Sequence, residues 1–284
     1  MQCSDWPLAI CSWSLRTDVD GVAAAMRQLG IDQVNLALKP VFGDKDNRHG
    51  DRYLAAVRRQ IWTISSTTIG FFQEDYTSLE SIRATGGILP DEFWPQNRQM
   101  VLRAAEITAQ QGVRYLTMHA GFLESDDAAQ AKCLRKRLVC LADAAEKLDI
   151  VLLLETGQET AGCLRVLLEE LNHPALGVNF DPANMILYGK GDPVEAVRLL
   201  GPWIKHVHIK DAVRAERPGN WGTETPWGDG EVGSEAFLRV LHDVGFTGVL
   251  AIERETGNDR LGDIRAAATR LVKNGSRLKI GGTA

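Results

Sequence analysis

Apolar residues recur along the chain in two rhythms. Short apolar or alternating runs read as strands, and the longer segments between them carry apolar residues at three- and four-residue spacing, which reads as helix. The strand-like runs are LAICSW (8–13), DQVNLAL (32–38), WTISST (62–67), VRYLTMH (113–119), VLLLE (151–155), LGVNFD (176–181), WIKHVHI (203–209) and GVLAIE (248–253). In the clearest helical segment, 126–148, Leu134, Leu138, Leu141, Ala145 and Leu148 draw one apolar stripe. A second helix opens at Thr160, a residue suited to capping its N-terminus, and places Leu164, Leu167, Leu168 and Leu171 on its buried face. A third ends at Gly112, a C-terminal cap ahead of its strand.

Strands separated by helices pair in parallel. Eight such units, with no linker or shift in composition between them, predict an α/β fold of the (β/α)8 TIM-barrel type, a single domain over residues 1–284. The pattern is weakest over 39–60 and 68–90.

Composition narrows the function classes. With 44% hydrophobic and 24% charged residues the chain has ample material for a core and none of the bias of disorder. A formal net charge of −5 offers no electrostatic footprint for a phosphate backbone, so no nucleic-acid partner is expected. The start, MQCSDWPLAICSW, lacks a basic segment followed by a long apolar run, and nothing approaches the apolar length of a membrane span, so neither leader nor membrane contact is expected. Cys3, Cys11, Cys133, Cys140 and Cys163 are odd in number and scattered, which reads as reduced thiols of a cytoplasmic protein.

The strands end on ionisable residues. VRYLTMH finishes at His119, VLLLE at Glu155, LGVNFD at Asp181 and GVLAIE at Glu253. Alternation in WIKHVHI puts His206 and His208 on one face, with Val207 and Ile209 on the other, packed on helices. With both histidines inward, His208 lies nearer the C-terminal rim, where barrel enzymes hold their active sites, and His206 one layer deeper. Carboxylates gathered there are costly unless paired or bound to a cation, so Glu, Asp, His and Glu from strands five to eight point to one divalent metal ion. Each residue also has a plainer reading: Asp181 before Pro182 suits a helix N-cap, and an inward His206 suits a hydrogen-bonded core position. An oxygen-rich donor set with one imidazole favours Mn²⁺, Mg²⁺ or Co²⁺, keeps Zn²⁺ in the set, and has no cysteine at these strand ends.

The segments VLLLE, NFDPAN, HVHIKD and PWGDGEVGSEAFLRVLHDVGFTGVLAIE resemble the xylose isomerase-like barrel superfamily of sugar and sugar-phosphate isomerases and epimerases, which also includes the AP endonuclease family 2 barrels. The likeness covers about residues 110–255 and is most similar to the pattern of L-xylulose 5-phosphate 3-epimerase-like proteins, with Asp-x-x-Asn on strand six and His-x-Lys-Asp on strand seven. It implies a metal held by Glu155, Asp181, His208 and Glu253. Where ketohexose 3-epimerases and the endonucleases of this superfamily carry a histidine three residues after the aspartate, this chain has Asn184, a departure that counts against DNA repair and against the free-ketohexose pattern.

The expected activity is a metal-dependent isomerase or epimerase acting on a small-molecule sugar or sugar phosphate, by proton transfer next to a carbonyl through an enediolate. Glu155 and Glu253, three places apart in the ring of strands, would flank the sugar as acid and base. His119, Asn184 and Lys210 are the candidate substrate contacts. A lyase or dehydratase on a keto-sugar, keto-glycoside or inosose would use the same metal and base; an abasic-site nuclease and a non-catalytic sugar-binding barrel are the remaining alternatives. The segment 211–233 is long for a barrel connection and reads as a lid with Trp221 and Trp227 as apolar walls. Its GDGEVG reads as a turn, since it follows no strand directly. Barrels often bind phosphate after strands seven and eight, near Arg214, Arg217 and Arg254 here. The superfamily's habit implies a homodimer or tetramer.

Overall fold

The computed structural model describes residues 1–43, 48–123 and 128–281. Eight parallel strands form its centre: β1 (Trp6–Cys11), β2 (Gln33–Ala37), β3 (Thr63–Ile69), β4 (Tyr115–Met118), β5 (Val151–Glu155), β6 (Leu176–Phe180), β7 (Ile204–Ile209) and β8 (Val249–Ile252). Each pairs with the next, and β8 pairs back onto β1 through Leu250 opposite Leu8 and Ile252 opposite Ile10, which closes the ring. All eight strand-like runs are strands. β3 continues to Ile69, two residues past its expected end, and β4 stops at Met118, one short of His119.

Alternation along each strand decides what packs where. Leu8, Ile10, Leu152, Leu154, Val207, Ile209, Leu250 and Ile252 point outward and join one continuous core with the surrounding helices. The opposite faces carry small or polar residues: Ala9, Cys11 and Ala251 form a separate inner cluster, and Asn35, Thr117, Asn179, His206 and His208 are buried. Gly177 faces inward, where a Cβ would stand 2.9 Å from Leu153 Cδ2.

The helix expected over 126–148 runs Ala128–Glu146; residues 126–127 lie outside the described residues. Thr160 caps the helix Ala161–Leu171 through Oγ1, which accepts from Cys163 N at 3.3 Å. Gly112 follows the helix Trp94–Gln110 in a left-handed conformation (φ 69°). The weakly patterned stretches hold the helices Arg48–Arg58 and Leu79–Thr85.

The segment 211–233 is more ordered than its sequence implied. Asp211–Val213 and Thr223–Thr225 pair as an antiparallel hairpin. Asp211 anchors the rest of the loop: Oδ1 accepts from Ala212 N (2.9 Å) and Val232 N (3.1 Å), and Oδ2 from Gly228 N (2.9 Å). GDGEVG is thus a turn wrapped on a buried carboxylate. Trp227 is buried against Phe237, with ring centroids 6.0 Å apart, and belongs to the core; the expectation that it walls the substrate space is corrected.

Candidate functional site

The C-terminal ends of β5 to β8 bring four side chains together. Glu155 is the last residue of β5, Asp181 follows β6, His208 is the penultimate residue of β7 and Glu253 follows β8. Each offers a donor atom within 4.8 Å of the others, and all four side chains are buried. His208 is the hub: its Nδ1 stands 3.2 Å from Glu155 Oε1, 3.2 Å from Glu253 Oε2 and 3.9 Å from Asp181 Oδ2.

The N-cap reading of Asp181 holds, and it uses only one of the two carboxylate oxygens. Its Oδ1 caps the short helix Pro182–Leu187, accepting from Ala183 N at 2.9 Å and Asn184 N at 3.0 Å. Its Oδ2 has no hydrogen-bond partner although fully buried, and neither has Glu253 Oε2. Buried carboxylate oxygens without a hydrogen bond are costly, and these two converge beside one imidazole nitrogen, with only the ion-pair contacts of His208 and Lys210 to offset them. Three carboxylates and one nitrogen make a donor set that fits a divalent cation.

The electrostatics of the cluster fit the same role. Burial alone would push the His208 pKa down, but the Cys11 thiol and the carboxylates of Glu253, Glu155 and Asp181 hold it well above the usual imidazole range. Positive charge is what this spot favours. Burial raises Glu155, yet His119 and His208 outweigh it and leave its carboxyl below the ordinary range; Glu253 is likewise lowered, by Lys210 and His208 against burial.

A second layer holds the cluster in place. Asn35 Nδ2 meets His208 Nε2 at 3.0 Å, while Asn35 Oδ1 accepts from Thr68 Oγ1 at 2.8 Å. Asn179 Nδ2 lies 3.2 Å from both ring nitrogens of His208, and Asn179 Oδ1 meets His206 Nδ1 at 2.8 Å. His206 also meets Ser65 Oγ at 3.2 Å, so it is a satisfied core histidine whose pKa is pushed well down, first by burial and then by His208. Asn35 and Asn179 both sit at register shifts between strands, the extra residue being Ser65 or Lys205 on the paired strand. Trp13 Nε1 donates to Glu253 Oε1 at 2.7 Å. Cys11, the last residue of β1, places its thiol against His208, and burial pushes its pKa up to about 12.

Above the cluster opens a cavity of about 650 Å³, lined in part by Glu155, Glu253, His119, Asn184 and Lys210, the five cavity-facing residues expected from sequence. Asn184 Nδ2 donates to Glu155 Oε1 at 3.3 Å. That approach needs Gly157, in a left-handed conformation (φ 134°), where a Cβ would lie 2.4 Å from Asn184 Cβ. Lys210 is buried, 2.5 Å from Glu255 Oε2 and 3.4 Å from Glu253 Oε2, and these carboxylates with Asp181 raise its pKa against the opposing effect of burial. His119 Nε2 is 3.8 Å from Glu155 Oε1, and its buried Nδ1 has no partner. Sequence reasoning missed Glu74, which lines the cavity with its carboxylate held by Phe71 N (2.9 Å) and Gly87 N (3.2 Å), and it missed Tyr188, Glu224 and Glu255. None of these stands at the end of a strand, which was the signal used.

The sequence model of the xylose isomerase-like TIM barrel family matches residues 23–274. The chain belongs to this family. A xylose isomerase domain protein from Planctomyces limnophilus is 29% identical, with a TM-score of 0.84 over 96% of this chain and 98% of that one. A xylose isomerase-like TIM barrel protein from Mycobacterium smegmatis, in complex with magnesium, is 18% identical with a TM-score of 0.72, covering 98% and 99% of the two chains. An L-ribulose 3-epimerase is 15% identical with a TM-score of 0.70, covering 98% of each chain. No curated protein matches the sequence at a significant level. Among the described residues no helix is long and apolar enough to cross a membrane.

Proposed function

We propose that this barrel, one domain over residues 1–284, is a divalent-metal-dependent epimerase or isomerase of a ketose-like sugar, moving a proton at the carbon next to a carbonyl. The observation that carries the reading is the convergence of Asp181 Oδ2 and Glu253 Oε2, both buried and without a hydrogen-bond partner, on the Nδ1 edge of His208 at the barrel mouth. Glu155, Asp181, His208 and Glu253 would hold the ion. When bound there, a divalent ion supplies Lewis-acid polarisation of a carbonyl and its neighbouring hydroxyl. The magnesium bound by the Mycobacterium smegmatis neighbour supports a hard cation, with Mg²⁺, Mn²⁺ or Co²⁺ ahead of Zn²⁺. The L-ribulose 3-epimerase neighbour supports inversion at a carbinol carbon.

The chain's own groups divide the work. Glu155 and Glu253 come from β5 and β8 and reach the cavity from two sides of its floor. Each is a carboxylate on the cavity floor, so either can take the proton and the other return it. Trp13 fixes Glu253 by one oxygen, and Asn184 fixes Glu155 by one oxygen. Lys210 carries an ammonium at the cavity wall to donate to sugar oxygens, and His119 presents an unused ring nitrogen beside Glu155.

Metal-loaded protein incubated with ketoses in D₂O tests the proposal. Deuterium is expected at one carbon of the bound sugar, without change in carbon skeleton, and Glu155→Gln abolishes the uptake. Full exchange retained by Glu155→Gln rejects the role given to that residue, and an unsaturated product moves the reaction to elimination.

A further inference from the structure

A second large space flanks the barrel mouth. This crevice, of about 570 Å³, lies between the helices Val19–Leu29 and Arg48–Arg58 and reaches Trp62, just ahead of β3. It is nearly as large as the cavity of about 650 Å³ above the four-residue cluster, and the chemistry at the cluster leaves it unused.

Trp13 and Ala37 line both spaces, so crevice and cavity adjoin at the C-terminal ends of β1 and β2. The junction is held firmly. Ala37 contributes only a methyl group, while its N–H donates to Ser12 Oγ at 2.9 Å and its carbonyl accepts from Tyr53 OH at 2.6 Å. Trp13 is fixed by its bond to Glu253 at 2.7 Å and by its ring meeting that of His208, with centroids 5.8 Å apart. A substituent on a sugar seated over the cluster therefore has a preformed place to go, past Trp13.

The lining suits an amphipathic occupant. Tyr53 and Trp62 present aromatic rings, and Trp13 a third. At the rim, Asp18 and Asp20 each commit one carboxylate oxygen, accepting from Gly21 N at 2.9 Å and from Gln60 Nε2 at 2.6 Å, and each keeps the other oxygen. Arg52 adds guanidinium donors. Aromatic faces match the C–H faces of a sugar ring, and carboxylates with a guanidinium match its hydroxyls. A purely apolar substituent would use the rings and leave the rim unmatched.

We propose that the substrate is a glycosylated ketose, its ketose end bound over Glu155, Asp181, His208 and Glu253 and its second sugar ring seated in the crevice beyond Trp13. This rests on the reading of the site as a sugar epimerase or isomerase and names its substrate class.

The test is calorimetric titration of the Mg²⁺-loaded protein with D-fructose and with the ketose disaccharides lactulose, isomaltulose and turanose, whose second rings leave the ketose at different hydroxyls. At least one disaccharide should bind about tenfold or more tightly than D-fructose. Trp62→Ala and Arg52→Ala should each remove most of that gain and leave D-fructose binding unchanged. Arg52 is exposed, so its variant carries the test if Trp62→Ala does not fold. Disaccharides that bind no more tightly than D-fructose, a gain that survives every folded variant, or binding of neither class overturns the inference. An O-benzyl ether of D-fructose that gains as much as the best disaccharide assigns the crevice to an apolar aglycone and overturns it too, as does a dimer in light scattering that Trp62→Ala breaks. Deuterium uptake from D₂O separates the two claims. A disaccharide that gains through the crevice without uptake sinks the epimerase reading and leaves this one standing, whereas uptake into D-fructose with no gain for any disaccharide does the reverse.

Discussion

Trp13 and Glu253 meet across the seam where the barrel closes, the indole Nε1 donating to the carboxylate at 2.7 Å. One residue follows the first strand and the other the last, and the bond leaves the second carboxylate oxygen free to face His208. A hydrogen bond to a charged partner contributes about 1.5–3 kcal/mol, and here it also holds the direction of a proposed base. Trp13→Phe is expected to lower kcat about tenfold with a smaller change in KM, read by steady-state kinetics alongside a metal titration.

Asp181 serves the fold with one oxygen and the site with the other, so two substitutions separate the roles. Asp181→Asn keeps an acceptor for Ala183 N and Asn184 N but loses the charge. Its apo Tm should stay near that of the parent, and the metal-induced rise in Tm should vanish. Asp181→Ala should lose the metal response and about 1 kcal/mol of helix capping as well. Thermal melts with and without Mg²⁺ check both, and a retained metal response in Asp181→Asn would exclude it as a ligand.

Asn35 holds the far nitrogen of His208, and side chains that orient a ligating imidazole typically account for about 10–100-fold in metal affinity. Asn35→Leu should weaken Mn²⁺ binding by that factor in a calorimetric titration while the far-UV circular dichroism spectrum stays that of the parent. Unchanged affinity would leave Asn35 a packing residue.

The thiols should divide by burial. Cys3 and Cys11 are buried, with pKa values pushed up to about 12 chiefly by desolvation, so both stay protonated through the physiological range and into mild alkali. Cys163 is exposed. A thiol reagent at pH 8 should modify Cys163 within minutes and reach Cys3 and Cys11 only when denaturant opens the barrel, as peptide mass mapping would show.

The hairpin over the cavity is tied down by Glu224, which accepts from Arg254 Nη1 at 2.6 Å and from Glu255 N at 3.0 Å. Glu224→Ala removes one of two carboxylates from the Arg254 guanidinium, which keeps Asp263, and losing a hydrogen bond to a charged group costs about 1.5–3 kcal/mol. Stability should fall toward that figure, amide exchange should rise over 211–225, and KM should rise more than kcat falls.

The eight strands and the ends they present were legible because strand periodicity is local: alternation settles which face a residue takes, and in a barrel the last inward residue of a strand lies at the rim. Hence Glu155, Asp181, His208 and Glu253 were readable, and with them His119, Asn184 and Lys210 as cavity residues. The resemblance of VLLLE, NFDPAN and HVHIKD strengthened that reading.

What tertiary structure alone decided lies between strands. Closure brought Trp13 to Glu253 over a separation of 240 residues, and strand pairing placed the amide nitrogens of Asn35 and Asn179 at 3.0 Å and 3.2 Å from the His208 ring. It also carried Trp227 into the core while leaving Trp221 on the cavity, though both sit in one loop. Local periodicity fixes the direction of a side chain relative to its own backbone. Which distant atoms meet within hydrogen-bond reach depends on barrel shear, bulges and the packing of connections, which no single segment encodes.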